Sequence, residues 1–284
     1  QVSILHPSDT VNKKISFPAE DLSLDIQAKF RQLFKEEPIL FRSPGRVNLV
    51  GEHTDYNEGF VLPAAVDKAI YLAISLRQDD RCSLYAHDLD QSQDIELKHL
   101  EKSEKRWPNY LLGVVDQIQK FGFSLSGFNC VFGGDVPIGA GMSSSAAIEA
   151  GLAYGLNEIF GLEIEPLELV KLAQRAENEF VGVRCGIMDQ FINIFGRMKK
   201  VLKLDCRSLE YRYFPFERED LRIVICDTRV KRELAGSEYN IRRQQCEAGV
   251  QLLRKYYPSL RSLRDVSIEL LQAHRREFDP LIYK

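Results

Sequence analysis

The chain has 284 residues, 44% hydrophobic and 28% charged, a balance that excludes disordered and fibrous classes and places it among globular proteins. Its 38 basic and 41 acidic side chains leave a formal charge of -3, so composition gives no concentrated basic face for nucleic acid or anionic lipid; the pairs Lys199-Lys200, Arg242-Arg243 and Arg275-Arg276 read as solvated surface. The cysteines Cys82, Cys130, Cys185, Cys206, Cys226 and Cys246 form no C-x-x-C pair, which argues against zinc and disulfide frameworks and fits a reducing, cytoplasmic setting, and no apolar run approaches the ~18 residues of a membrane span.

At roughly 100–200 residues per domain, length favours two domains. Gln1 to Glu20 has neither the basic start nor the apolar run of an export signal, and the missing initiator Met marks this end as processed or cut. From Leu24, the residues Ile26, Phe30, Leu33 and Phe34 recur at helical spacing until Pro38, which predicts a helix packed by one face. The branched and aromatic segments Ile39 to Arg42, Arg46 to Val50, Phe60 to Leu62, Ala69 to Leu76 and Ser83 to Ala86 read as strands. A helix is expected behind Trp107-Pro108 through Tyr110, Leu111, Val114, Val115 and Ile118, and a strand from Gly127 to Phe132. Helices follow over Ser143 to Phe160 and Pro166 to Phe180, the latter with proline early, where a missing N–H does no harm. Strand patterns return at Val201 to Leu204, Tyr211 to Phe216 and Leu221 to Cys226, then a helix from about Ser237 to Tyr256. Asp279-Pro280-Leu281-Ile282-Tyr283-Lys284 has an N-cap residue and a proline at the first helical position, so the chain is expected to stop one turn into a helix.

The strongest chemical motif is Gly133-Gly134-Asp135-Val136-Pro137-Ile138-Gly139-Ala140-Gly141-Met142-Ser143-Ser144-Ser145-Ala146-Ala147, between a predicted strand and a predicted helix. Small residues let backbone N–H groups approach phosphate oxygens, the helix N-terminus adds unpaired N–H groups, and serines add hydroxyls or a magnesium ligand. A tight turn with a serine cap is the plainer reading, but this run exceeds what a cap requires. It is neither a Walker A sequence, since G-K-[ST] is missing, nor a dinucleotide fingerprint. A second motif, Pro44-Gly45-Arg46-Val47-Asn48-Leu49-Val50-Gly51-Glu52-His53-Thr54-Asp55-Tyr56-Asn57-Glu58-Gly59, crowds Glu, His, Asp and Asn after a strand. Such side chains suit a polyhydroxylated ligand, because a carboxylate accepts from two hydroxyls at once. A polar turn, or a metal site on Glu52, His53 and Asp55, are the other readings, the metal site ranking low without H-E-x-x-H spacing.

With Glu177 and Cys185-Gly186-Ile187-Met188-Asp189-Gln190, and with Ser237-Glu238-Tyr239-Asn240-Ile241-Arg242-Arg243, these motifs resemble the galactokinases of the GHMP superfamily, which also holds homoserine, mevalonate and phosphomevalonate kinases. The resemblance runs from about Leu24 to the end, and Met142 replaces the usual Leu of the phosphate loop, a swap of similar volume. It implies an α+β, two-domain GHMP kinase architecture: residues 24–195 as an N-terminal ribosomal-protein-S5-like domain with a mixed sheet, and 196–284 as an incomplete ferredoxin-like α+β domain, the family's third glycine-rich motif being expected beyond Lys284. It implies ATP-dependent phosphorylation of the anomeric hydroxyl of galactose with Mg2+, by a cytoplasmic monomer. Asp189 corresponds to the base beside the acceptor hydroxyl, and Arg46 to the arginine that pairs with it and stabilises developing negative charge. Glu52, His53, Asp55, Gly186 and Tyr239 would line the sugar pocket. Gly139, Gly141, Ser143, Ser144 and Ser145 would hold phosphates, Ser145 and Glu177 the Mg2+, and Trp107 would sit near adenine. Taken without the resemblance, Asp189 reads equally as a helix cap, Arg46 as a structural ion pair, Glu177 as a solvated helix residue and Trp107 as a core anchor. The alternatives kept are an N-acetylgalactosamine kinase, a non-catalytic galactose and ATP sensor on the same fold, and a metal-dependent hydrolase on Glu52, His53 and Asp55. For the kinase readings, the serine-rich turn after Gly141 must face Arg46 and Asp189.

Overall fold

The structure, a computed structural model, describes residues 1–5, 19–137, 139, 141–218, 220–221, 223–226 and 235–283, with backbone alone for 19–21 and 235–238. In chain order the strands are β1 (Ser3–Leu5), β2 (Ile39–Asn48), β3 (Phe60–Val61), β4 (Pro63–Leu76), β5 (Arg81–Ala86), β6 (Gln91–Glu96), β7 (Phe128–Gly134), β8 (Lys200–Asp205) and β9 (Tyr211–Pro215). The α-helices are α1 (Ala19–Phe34), α2 (Pro108–Lys120), α3 (Ser144–Phe160), α4 (Pro166–Arg175), α5 (Met188–Phe195), α6 (Ala235–Arg254), α7 (Ile268–Ala273) and α8 (Pro280–Tyr283).

Six strands form one sheet in the order β1-β2-β4-β7-β5-β6. Only β5 and β7 run parallel; the other neighbours are antiparallel, so the sheet is mixed. Alternate residues of a strand point to opposite faces, and both faces are covered. On one side Leu40, Tyr71, Ala73 and Val131 pack under Ile26 and Phe30 of α1. On the other, Phe41, Ile70, Leu72, Ile74, Cys130 and Phe132 meet the apolar stripes of α2, α3 and α4. Each fully buried Leu, Ile or Phe in these layers contributes about 1.5–3 kcal/mol.

A three-stranded sheet, β3-β8-β9, draws its strands from either side of residue 196, and its Val61, Leu202 and Leu204 share a core with Phe191 and Ile192 of α5. α6 and α8 enclose a smaller cluster around Leu253, Leu260 and Phe278. A helical turn does begin at Pro280, with the Asp279 carboxylate accepting from Leu281 N–H at 2.8 Å; Lys284 lies outside the described residues.

The differences from the sequence reading have physical causes. Ile39 to Arg42 and Arg46 to Val50 are one strand, β2, ending at Asn48, with a register shift between Pro44 and Arg46. Proline removes a ladder donor, and a bulge accommodates it. The helix expected over Pro166 to Phe180 changes at Ala176 into a π-helical turn, Ala176–Val181, a local widening common at functional sites. Leu221 to Cys226 is not a strand at its described residues, and Leu221, Ile223, Val224 and Ile225 are exposed. Branched residues favour extended backbone, but propensity alone does not place a segment in a sheet, and neither described sheet includes this one. Arg222 lies outside the described residues.

Candidate active site

Three sequence-distant pieces meet at the ends of β2 and β7. β2 carries Arg46 just past its bulge, α5 opens with Asp189, and the β7–α3 turn supplies Gly139 to Ser143. Arg46 and Asp189 form a two-point fork, Nε to Oδ1 at 2.7 Å and Nη2 to Oδ2 at 2.6 Å. Their side chains are 13% and 22% exposed, so the pair is sheltered yet open on one side, and the planar guanidinium fixes the carboxylate's direction. Arg46 also donates to the Gly141 carbonyl through Nη1, and the Ser143 hydroxyl donates to Asp189 Oδ2. The turn after Gly141 therefore stands against the Arg46 and Asp189 side chains.

The described residues of the turn include three with left-handed backbone. Gly139 and Gly141 have φ of +80° and +77°, and a Cβ on either would meet nothing within 4 Å, so positive φ, not crowding, calls for glycine. Ser143 also sits in the left-handed region, at φ +54°, immediately before α3, a strained choice of the kind that gathers at functional sites. Ser144 is the first residue of α3. Ile138 and Ala140 of this motif lie outside the described residues.

Behind Ser145 lies a buried polar cluster. The π-helical turn brings Glu177 beneath α3, near enough to Ser145 for its hydroxyl to act on the Glu177 carboxyl. Gln190 Nε2 donates to Glu177 Oε2 at 2.9 Å and to Glu149 Oε2 at 3.2 Å. Burial raises the Glu177 carboxyl above its ordinary value, with Asp189's charge adding to the shift and bonds from Cys185 and Ser145 opposing it. Glu149 is raised further, by burial and by Glu177's charge, and its Oε1 is a buried acceptor without a partner. Paired buried carboxylates beside a hydroxyl are oxygen donors of the hard kind that Mg2+ takes, one or two from protein and the rest from phosphates and water. The residues present thus fit that ion.

The acidic residues of the second motif lie near the Arg46–Asp189 pair: Glu52 and Asp55 both act on the Arg46 charge. Asp55 lies so close to Gly186 that a Cβ there would stand 2.0 Å from Asp55 Oδ2, so any larger residue would push the Asp55 carboxylate from its place. Burial, then the charge of Asp189, raises the Asp55 carboxyl to about 6. Burial with the charges of Asp55 and Asp189 raises the Tyr239 phenol, which stays protonated. His53, at φ +59°, is bonded through Nδ1 to the Tyr56 hydroxyl at 2.8 Å, and the rings of His53 and Tyr239 lie 5.5 Å apart. Glu52 is exposed and accepts from Asn48 Nδ2 at 3.1 Å. Glu52, His53 and Asp55 thus turn to different partners. Trp107 stands apart: it is 9% exposed, donates from its indole to Gln91 Oε1 at 2.9 Å and packs on Phe132 of β7 at 5.6 Å, which is how a core anchor behaves.

Sequence reasoning missed Glu149, Gln190 and Asn193. Each is a polar residue on an otherwise apolar helix face, and each is 0% exposed. That mismatch was the available signal.

Comparison with known proteins agrees with this geometry. Residues 28–76 match the family model of the galactokinase galactose-binding signature, and residues 109–197 that of the GHMP kinase N-terminal domain. A galactokinase from Roseiflexus sp. is 46% identical over 259 residues, covering 90% of this chain and 66% of the relative. One from Thermotoga neapolitana is 44% identical over 231 residues, covering 81% of this chain and 63% of the relative. The chain therefore spans about two thirds of the length of these curated relatives. The crystal structure of Lactococcus lactis galactokinase complexed with galactose superposes with a TM-score of 0.81 at 31% identity, covering 92% of this chain and 69% of that one. Fold, motifs and relatives agree: the α+β architecture with its mixed sheet is the GHMP kinase fold, and the chain belongs to the galactokinase family.

Proposed function

We propose that the chain performs the galactokinase reaction, moving the γ-phosphoryl group of ATP to the anomeric hydroxyl of galactose to give galactose 1-phosphate and ADP. The observation that carries this reading is the Arg46–Asp189 fork standing against the Gly141–Ser143 turn, which puts a carboxylate and a fixed cation beside a phosphate-type cradle. Asp189 takes the proton of the C1 hydroxyl as its oxygen bonds to the γ-phosphorus, while the bond from that phosphorus to the β–γ bridging oxygen breaks. Arg46 aims Asp189 and stabilises the charge on the transferred group, since phosphoryl transfer asks mainly for positioning and electrostatics.

Gly139 and Gly141, with Ser143, Ser144 and the first turn of α3, hold the phosphates through N–H and hydroxyl donors. Ser145 and Glu177 hold Mg2+, which when bound neutralises phosphate charge. On the sugar side, Asp55, Glu52, His53, Tyr239 and the Gly186 backbone read the hydroxyls. Trp107, packed on the strand that feeds the turn, borders the adenine. Residues 24–195 form the domain that carries these motifs, and 196–284 a second that contributes Tyr239. We place the protein in the cytoplasm as a monomer.

ATP consumption measured with galactose, N-acetylgalactosamine, glucose and buffer tests the reading, and a galactose-only signal is expected. Binding of both galactose and ATP without ADP release would turn the assignment to a sensor. Asp189→Asn is expected to keep both affinities and lower turnover by about 10²–10⁴; near-normal turnover would remove Asp189 from the chemistry.

A further inference from the structure

The segment 182–187 joins the π-helical turn bearing Glu177 to the helix bearing Asp189, and it carries Gly186 against Asp55. It has little secondary structure of its own: the backbone bonds at its start run to Glu177, and Cys185 N–H donates to Val183 O at 2.8 Å. Buried or half-buried backbone groups must find partners. Here α6 supplies several, beside Gln174 Nε2 of α4, which donates to Cys185 O at 3.4 Å. Asn240 Oδ1 accepts from Arg184 N–H at 2.9 Å while Asn240 Nδ2 donates to Gly182 O at 3.0 Å, so one side-chain amide replaces a strand neighbour. Arg243 Nη1 donates to Arg184 O at 2.8 Å and to Cys185 O at 3.3 Å, the residues just before Gly186, and Tyr239 stands on the same helix with its ring 5.5 Å from that of His53. Arg243 is four residues from Tyr239 and three from Asn240, so it neighbours both along the helix. Arg243 is itself held by Glu247 at 3.1 Å, which also takes Arg184 Nη2 at 2.6 Å.

We infer that Asn240 and Arg243 are positioning residues for the sugar site: they clamp the 182–187 segment so that Gly186 meets Asp55 and Tyr239 in the geometry that binds the hexose. The inference rests on the sugar site assigned above. It predicts a selective effect, because the phosphate turn makes none of these bonds. Asn240→Ala removes both amide bonds and is expected to weaken galactose affinity about tenfold, the scale of losing one or two net hydrogen bonds, and to raise the galactose KM likewise while the ATP KM stays constant. Asn240→Asp keeps the acceptor for Arg184 N–H and loses the donor to Gly182 O, so it is expected to fall between Asn240→Ala and wild type. Arg243→Lys keeps charge but loses the fork, and is expected to raise the galactose KM as well.

Calorimetry with galactose and with a non-hydrolysable ATP analogue, beside hydrogen–deuterium exchange on the same variants, tests this. Faster exchange confined to peptides over 182–187, with galactose affinity reduced and nucleotide affinity kept, is the expected result. Unchanged galactose affinity in both Asn240→Ala and Arg243→Lys, or equal losses for galactose and nucleotide, would overturn it. Should Asn240→Ala not fold, Asn240→Asp decides by the same two affinities. A wild-type chain that binds no galactose would count against the assigned function; the exchange readout would still decide the clamp, which unchanged protection over 182–187 in the Asn240 variants would refute.

Discussion

Among single residues, Asp55 carries the most specific pH consequence. Burial and the nearby Asp189 raise its carboxyl from 3.8 to about 6, so below that pH it is protonated and above it a two-oxygen acceptor. Galactose affinity is therefore expected to rise with pH through about 6, and Asp55→Asn to bind weakly and lose that step; a titration of affinity from pH 5 to 8 checks both. The same shift acts on the fold with opposite sign. Between about 4 and 6 the folded chain holds a proton that the unfolded chain has released, so the group's contribution to stability falls as pH rises through that window. Asp55→Asn is accordingly expected to resist urea better than wild type at pH 7 while binding less sugar, and equal or lower resistance would mean that the charge is well solvated. Motif composition and the family resemblance named Asp55, Arg46 and Asp189 as candidates, and the structure pairs Arg46 with Asp189. The left-handed backbone of Ser143 was not legible, because a serine run gives no sign of which member abandons the usual conformation, nor was the bond from the Trp107 indole to Gln91, a partner from another part of the sequence.

The elements explain how Arg46 and Asp189 find each other across the sequence. α5 is fixed one turn past Asp189 by Asn193, whose Nδ2 donates to the Pro44 carbonyl and whose own carbonyl accepts from Val2 N–H at 2.9 Å. Pro44 borders the β2 register shift that aims Arg46. One buried amide thus ties the helix of the carboxylate to the bulge of the arginine. Asn193→Ala leaves the Pro44 carbonyl unpaired in the interior and is expected to cost about 1–3 kcal/mol in urea unfolding. It should also lower kcat more than either KM, since it misaligns the pair proposed to act on the reacting atoms; a loss of stability with unchanged kcat would make Asn193 only a packing residue. Periodicity revealed the long apolar elements here, α1, α2, α3, β4 and β7, because their burial repeats along the chain. It failed where a tertiary partner decides. β6, Q-S-Q-D-I-E, is polar yet paired with β5, and the apolar Leu221 to Cys226 is not a strand at its described residues.

Across the whole molecule, the question is whether the small sheet folds with the large one. Helix α3 faces both: Ala147, Leu152, Ala153 and Leu156 belong to the large-sheet core, Ala150 to the core with Phe191, Leu202 and Leu204, and Tyr154 packs against each. Phe191 is fully buried and stacks on Phe195 at 4.6 Å and edge-on to Tyr211 of β9 at 5.4 Å. Such a shared helix leaves no weak plane between the layers, so they are expected to unfold as one cooperative unit. The chain's one tryptophan, Trp107, sits in the large-sheet core and gives a local probe. Phe191→Ala removes a ring from the other core and is expected to cost about 3–5 kcal/mol. If the cores are coupled, Trp107 fluorescence in urea shifts its midpoint down by roughly 1 M, given a slope of about 3 kcal/mol per molar. An unmoved Trp107 midpoint beside an early loss of small-sheet signal would show two independent units, with the Arg46–Asp189 pair held by the large sheet alone.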